Sequence, residues 1–271
     1  MLGAVGIASA IVLHGEDCVL EVAEPDAQWA LSHLAQYEAE NRPPEPPPPV
    51  PPRHPNAWLG CVGYAAWLIG VAYAISNGLF RLDAFHTGEL DAARVQSGQW
   101  WRAWTALTLH VSGPHLTANL GAGIWFGYLA GRQLGVGVAW LLIVAGGGIA
   151  NLLEGLFAPP WHRSVGASTA VFTALGLMSA YTFSERRRLP QNWVQRWGPL
   201  VAGIVLLGWL GTAGKDTDVI AHLLGFGIGL LFGATAALPA ISRRLHNLRQ
   251  WPLGLAAIAI MVAAWALALT S

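Results

Sequence analysis

SVGASTAVF, residues 164–172, begins an apolar segment that continues to about Tyr181. Small residues surround Ser168 where this hydrophobic segment starts. A helix start leaves backbone N–H groups without intrahelical partners and carries the positive end of the helix dipole. A serine there has donors beside it for an oxyanion. Clusters of Gly, Ala and Ser are also ordinary packing surfaces between membrane helices, so the stretch alone leaves both interpretations open.

The chain is much more apolar than a typical soluble domain. Its 271 residues are 54% hydrophobic and 11% charged, against roughly 25% charged in soluble domains. One water-soluble core cannot bury so much apolar surface, which predicts a polytopic membrane protein. A formal charge of zero gives no reason to expect nucleic acid as a partner. Cys18 and Cys61 fit no disulfide framework or zinc spacing, and we expect no metal and no cofactor.

Seven hydrophobic segments follow one another beyond Asn56. Each is close to the roughly twenty residues that cross a bilayer as a helix. We place them at about 57–80, 115–134, 136–158, 165–183, 197–214, 218–240 and 251–270. The connection from Arg81 to Gly113 is amphipathic and rich in Trp, as is typical of structure lying at the membrane interface. The predicted fold class is an all-α polytopic membrane protein.

The first 41 residues predict a small soluble α+β unit. Short apolar runs on both sides of the turn His14–Asp17 indicate a hairpin. Pro25 suits the first turn of a helix that ends near Asn41. No basic region precedes the apolar start, so we expect no signal peptide. Residues 42–56 hold nine prolines and predict a stiff Pro-rich linker.

The distribution of arginines predicts the orientation. The loops after the second, fourth and sixth segments contain Arg132, Arg186, Arg187, Arg188, Arg196, Arg243, Arg244 and Arg249. The opposite loops contain fewer basic residues, despite the length of the first connection. The positive-inside rule therefore places the N-terminus in the cytoplasm and the C-terminus outside. Ser168 then lies toward the outer side of the bilayer.

Polar residues that lipid should exclude gather near the same outer end. His115 and Asn119 are four residues apart and share one helix face, and His222 lies one turn into the sixth segment. Ionisable residues inside spans are costly and indicate function by default. Any one of them alone could equally be a neutral packing residue. Together with Ser168 they favour a functional site.

These residues resemble the motifs of the rhomboid intramembrane serine proteases. The resemblance spans about Ala57 to Ala240 and rests on motifs in the family's order, namely Trp101-Arg102, His110, His115 to Asn119, Gly166 to Ser168, and Ala221 to Gly229. It implies a six-helix protease core over 57–240, followed by a basic loop and a seventh transmembrane helix over 241–271. The unit over 1–41 also resembles the cytosolic domain of some bacterial members.

The resemblance implies a catalytic dyad. Ser168 is the expected nucleophile, and His222 is the expected base, which later protonates the leaving amine. His115, Asn119 and the backbone N–H of Ser168 are the expected oxyanion donors. The expected substrates are transmembrane segments of other proteins, cleaved by a multi-pass protein of the inner or plasma membrane. The oligomeric state is not predicted.

Several residues are expected to support this site. Independently of the resemblance, glycines below Ser168 and His222 predict that the two helices approach closely. Phe172 faces the same way as Ser168 and is expected to stack on His222. The supporting set is Gly166, Phe172, Gly176, Gly225, Gly229, Trp101 and Arg102.

The chain departs from the family pattern at three places. Thr169 stands where many members have glycine, and Phe172 replaces a tyrosine found in some members. Many members also have a glutamate near the inner end of the second segment, which can pair with the arginine. No glutamate occurs there in this chain, which leaves the partner of Arg102 open.

Other assignments remain open. Asp218 is four residues before His222, so a Ser–His–Asp triad is an alternative, although helix capping by this residue is favoured. A catalytically inactive rhomboid-like protein would bind transmembrane clients without cutting them. A transporter or channel would use intramembrane His and Asn for protons or ions, but we find no convincing internal repeat.

Overall fold

The computed structural model describes residues 2–14, 17–41, 53–78, 83–189, 191–212 and 217–271. Most of the predicted Pro-rich linker, residues 42–52, lies outside these ranges. So do the centre of the predicted hairpin turn and the predicted ends of the first and fifth segments. The chain divides into two compact units, Met1–Pro48 and Pro49–Ser271.

The first unit is a hairpin followed by a helix. Strands β1 (Ser9–His14) and β2 (Asp17–Val22) pair antiparallel, with Val12 opposite Val19. Helix α1 (Ala27–Glu40) follows a short 3₁₀ turn that contains Pro25. Both elements lie where the sequence predicts them. The small core of this unit consists of Leu2, Ile7 and Ala30, with Val22 packed against it.

The second unit has a helix at each of the seven predicted segments. These are α2 (Trp58–Ser76), α6 (Gly113–Leu134), α7 (Val136–Phe157), α8 (Ser168–Arg186), α9 (Trp193–Gly211), α10 (Val219–Ala236) and α12 (Gln250–Thr270). Within the residues that the structure describes, four stretches are long and apolar enough to cross a membrane: Pro55–Ser76, which includes α2, and helices α7, α10 and α12. A multi-pass membrane protein is therefore confirmed, while the number of spans stays a prediction.

Short elements fill the connection from α2 to α6. They are α3 (Ala84–Gly88), β3 (Leu90–Asp91), α4 (Ala92–Gln96) and α5 (Arg102–Thr105). Strand β3 pairs antiparallel with β4 (Arg163–Ser164), which places Leu90 opposite Ser164. This pairing attaches the connection to the chain just before Ser168.

Helix α8 is the centre of the second unit. Every residue from Thr169 to Tyr181 is buried. A helix that is buried on all sides must be surrounded by other elements, and α6, α7, α9 and α10 pack around this one. Ser168, its first residue, therefore lies at the edge of the most enclosed part of the fold.

Helix α12 packs on α7 and on the connection, after the short helix α11 (Pro239–Asn247). Gln250 Oε1 accepts hydrogen bonds of 3.1 Å from the N–H groups of Gly137 and Val138, at the start of α7. At the other end of α12, Trp265 Nε1 donates to Thr108 Oγ1 over 3.1 Å. The last helix is thus fixed to the core at both ends.

Candidate active site

Gly166 and the ring of His115 shape the approach to Ser168. Gly166 has a φ of +137°, a backbone conformation in which a residue with a side chain is strained. A Cβ atom at this position would also lie 2.8 Å from Cε1 and 2.9 Å from Nε2 of His115. The Gly166 N–H donates to the carbonyl of Ala106 over 2.9 Å. Glycine is therefore required at this position on two grounds, and the loop is anchored to the connection.

Ser168 begins α8 directly after Ala167. Its N–H belongs to the first turn, whose donors have no intrahelical acceptor. The Ser168 hydroxyl oxygen lies 3.6 Å from the place a Cβ of Gly166 would occupy. The His115 ring contacts that same place, so hydroxyl and ring border one small space beside Gly166.

Glycines bring the backbones of α8 and α10 into contact. Added methyl groups at Gly225 and Gly229 would overlap the carbonyl oxygens of Thr169 and Thr173, and one at Gly176 would overlap the carbonyl of Phe226. The predicted close approach is confirmed. Sequence analysis missed Gly233, which meets the carbonyl of Leu177 in the same way. Its spacing of four residues from Gly229 was the available signal.

The ring of His222 is held on two sides. It is buried, and its Nδ1 lies 3.0 Å from the carbonyl oxygen of Gly211, at the end of α9. Because a carbonyl only accepts, Nδ1 carries the proton in this pair, which leaves the Nε2 lone pair of the neutral ring free to accept one. The centroid of the Phe172 ring lies 4.3 Å from that of His222. The tautomer is the one that a general base acting through Nε2 needs.

Among the described residues, no hydrogen bond joins the Ser168 hydroxyl to the His222 ring. Catalytic hydrogen bonds are often long without substrate and shorten in the bound complex. Packing nevertheless brings the two helices that carry these side chains into contact. Gly225, one turn after His222, contacts the Thr169 carbonyl, one residue after Ser168.

Asp218 caps α10. Its Oδ1 accepts from the Ala221 N–H over 3.1 Å, while the proton on His222 Nδ1 is directed at Gly211. The structure therefore favours the capping assignment over a Ser–His–Asp triad.

His115 and Asn119 occupy the first two turns of α6, which Ser112 caps. Asn119 Nδ2 donates to the carbonyl of His115 over 3.0 Å. A side-chain amide has a second hydrogen, which is available for a ligand. Tyr64 donates to the Asn119 carbonyl over 2.9 Å and attaches this turn to α2. His115 thus lies beside the loop that precedes α8, and Asn119 lies one turn further along the same helix.

His110 positions the residues around Ser168, a role that sequence analysis did not assign. Its Nε2 accepts from the Ala167 N–H over 3.4 Å, and its ring lies edge-on to His115 with centroids 5.1 Å apart. Burial, and to a smaller extent the neighbouring His115, lowers the pKa of His110 to about 4. The ring is therefore neutral at pH 7 and remains an acceptor.

Arg102 is buried, and its partners are now identified. Its guanidinium donates to the carbonyls of Glu89 and His86 over 2.9 and 3.1 Å, and to Gln99 Oε1 over 2.7 Å. The partners that the sequence left open are thus backbone carbonyls and an amide. Trp101 directly precedes α5, which begins at Arg102. Both residues belong to the connection that supports the site.

Comparison with known proteins shows which family this chain is similar to. The Rhomboid domain family model matches residues 97–239, more than half of the chain. Rhomboid protease GluP of Bacillus subtilis (strain 168) is 28% identical over 163 residues, which are 58% of this chain and 31% of GluP. The chain thus aligns with about a third of the length of that relative. On the strength of the family match, this chain belongs to the rhomboid family.

Proposed function

We propose that this protein is an intramembrane serine endopeptidase that cleaves transmembrane segments of other membrane proteins. The observation that carries the proposal is the orientation and tautomer of the His222 ring. Its ring is oriented by Gly211 and Phe172, and its helix contacts the helix that begins with Ser168. A relative named as a rhomboid protease supports the same conclusion.

Acylation begins at Ser168. The hydroxyl oxygen attacks the scissile carbonyl carbon while its proton passes to Nε2 of His222. The C–N bond then breaks, and the imidazolium returns the proton to the leaving amine. The Gly211 carbonyl stabilises this imidazolium because it accepts from Nδ1–H throughout. Water, activated by the same histidine, hydrolyses the acyl-enzyme.

The oxyanion forms in the space bordered by Gly166, Ser168 and His115. The Ser168 N–H, the His115 ring and the second hydrogen of the Asn119 amide are the donors. Loss of one such donor typically raises the barrier by about 3–4 kcal/mol.

In this proposal the protein lies in the inner or plasma membrane. Its core, residues 57–240, has six transmembrane helices, and α12 is the seventh. The N-terminus is cytoplasmic, the C-terminus is outside, and Ser168 lies toward the outer side, as the arginines predict. Cys18 is exposed in the N-terminal unit. A membrane-impermeant maleimide should label it in inverted vesicles and not in intact cells. Labelling in intact cells would reverse the orientation.

Substrates enter laterally past α9. This helix presents Val201, Ile204, Val205 and Trp209 to its surroundings. Residues that destabilise a helix, such as Gly or Pro near the cut, help expose the scissile carbonyl. A crosslink between α9 and α6 should block cleavage of a membrane-embedded substrate. Unimpaired cleavage by the crosslinked enzyme would exclude this route.

The dyad is tested with a fluorophosphonate probe on purified protein. The probe should label the wild type and neither Ser168→Ala nor His222→Ala. Ser179→Ala is the matched control, because Ser179 lies on the same helix with its hydroxyl bonded to the Leu175 carbonyl, and it should retain labelling. Cleavage of a reconstituted transmembrane substrate should follow the same order. A folded wild-type protein that binds transmembrane helices without labelling or cleavage would instead be an inactive client-binding relative.

A further inference from the structure

Three ligand-type side chains meet near the outer ends of α7 and α10. Glu154 is in the last turn of α7, His162 lies in the connection to β4, and Asp218 precedes α10. Nε2 of His162 lies 3.4 Å from Oε1 of Glu154 and 3.2 Å from Oδ2 of Asp218. All three ligand atoms lie within 4.8 Å of one another.

These three atoms are buried and have no hydrogen-bond partner among the described residues. The Glu154 side chain is only 1% exposed. The distances are short, yet neither carboxylate oxygen is in hydrogen-bonding geometry with the ring nitrogen. Leaving a buried carboxylate oxygen without a partner is costly. The three atoms instead lie within 4.8 Å of one another, close enough for one bound ion to contact all of them.

The local charge indicates the sign of that ligand. Two carboxylates share this small volume and repel each other. Arg163 is adjacent to His162, but it pairs with Glu89 and Asp91 over 3.2 and 3.4 Å. In the described part of the chain, no lysine or arginine forms an ion pair with Glu154 or Asp218. A dication beside a neutral imidazole would cancel both negative charges.

We propose that Glu154, His162 and Asp218 bind one divalent transition-metal cation, with Zn²⁺ as the best fit. Zinc accepts imidazole nitrogen and carboxylate oxygen at about 2.0–2.2 Å, which places tetrahedral ligands about 3.4 Å apart. Two of the three separations between the ligand atoms, 3.4 and 3.2 Å, are close to this value. Calcium and magnesium prefer oxygen ligands only, so the imidazole disfavours them. Three protein ligands leave the fourth position to water.

The metal would connect the segment that precedes Ser168 to the start of α10. His162 lies six residues before Ser168, in the segment that leads through β4, and Asp218 caps the helix that carries His222. The role is structural, since the ligands are distinct from the proposed dyad and oxyanion donors. The inference departs from the expectation of no metal. Ligand spacings of 8 and 56 residues form no recognisable sequence motif.

The test is zinc binding to the full chain, purified with a tag free of histidine and stripped with EDTA. Competition against a chromophoric chelator should show one equivalent more in the wild type than in His162→Gln. Asp218→Asn retains an oxygen that caps α10, and we expect it to bind at least tenfold more weakly. The control His33→Gln removes a histidine of the N-terminal unit and should bind as the wild type does.

A second measurement guards against misfolded variants. At a hundredfold excess over the dissociation constant, Zn²⁺ should raise the Tm of the wild type by about 5 °C or more. It should leave the Tm of His162→Gln unchanged, while both proteins have the same Tm in EDTA. Equal zinc binding by the wild type, His162→Gln and Asp218→Asn would overturn the site, as would no binding by the wild type. Neither result depends on peptidase activity, so the proposed function can fail or succeed separately.

Discussion

Helices α10 and α9 both pack on α8, but in opposite ways. Glycines press the backbone of α10 onto α8 at three successive turns, at Gly225, Gly229 and Gly233. In α9, by contrast, only Gly203 and Gly211 are buried. The first contact fixes the distance between two backbones, because no side chain separates them. The second contact, between α9 and α8, covers only a small part of α9. The fold thus fixes the spacing between α8 and α10 and leaves α9 mostly exposed.

The largest expected effect comes from replacing a glycine at the contact between α8 and α10 by a larger residue. Gly229→Leu would overlap the Thr173 carbonyl and push the helices apart. Displacement of reacting groups by about 1 Å costs roughly a hundredfold in rate, so we expect at least that loss of peptide cleavage. Overpacking should also lower the Tm. Both are measured in detergent, with a reconstituted transmembrane substrate.

The controls for this prediction are two glycines with open surroundings. Gly208 on α9 and Gly227 on α10 have no atom within 4 Å of an added Cβ. Gly208→Leu and Gly227→Leu should retain activity and stability. If Gly229→Leu behaved as they do, the rigid contact would not exist.

A smaller effect is expected from shortening one aromatic side chain on α8 and one on α9. Phe172→Ala removes the buried ring that packs on His222 and should lower the free energy of unfolding by about 3–5 kcal/mol. Trp209→Ala removes an exposed ring from α9 and should change it by less than about 0.5 kcal/mol. Unfolding in mixed micelles compares the two. Equal losses would show that α9 is as tightly packed as α8.

The smallest effect concerns acid and the anchoring of the Ser168 loop. The pKa of His110 is about 4 in the folded protein, below the unfolded value of about 6.5. As the pH falls below 6.5, the unfolded state binds the proton first, so the free energy of unfolding falls until about pH 4. The loss is roughly 3 kcal/mol at full effect. Stability is unaffected by this group above pH 6.5.

His110→Gln isolates this contribution. The amide oxygen of Gln retains an acceptor for the Ala167 N–H without titrating. The Tm of the wild type should therefore fall more steeply between pH 6.5 and 4 than that of the variant. Parallel curves would show that His110 is protonated as easily in the folded state as in the unfolded chain.

The sequence predicted the parts of this molecule that depend on local patterns. Hydrophobic length placed the seven helices, and the spacing of Gly176, Gly225 and Gly229 predicted which two would touch. The hydrogen bond from His222 to Gly211 was not predicted, because backbone carbonyls carry no sequence signal. The same holds for the carbonyl partners of Arg102 and for the attachment of Gln250 to the start of α7. The cluster around His162 depends on three separate elements meeting, which only the tertiary structure reveals.

The hydrogen bond between His222 and Gly211 also has a consequence for timing. Gly211 is the last residue of α9, the helix that is mostly exposed. The proposed base, His222, therefore takes its orientation from an element that the proposed lateral entry would displace. A shift of that helix end by 1 Å lengthens the 3.0 Å contact beyond hydrogen-bonding range. The ring then loses its preferred tautomer until the helix returns. The proposed peptidase would thus be inactive while α9 is displaced and would regain its active geometry only when α9 returns.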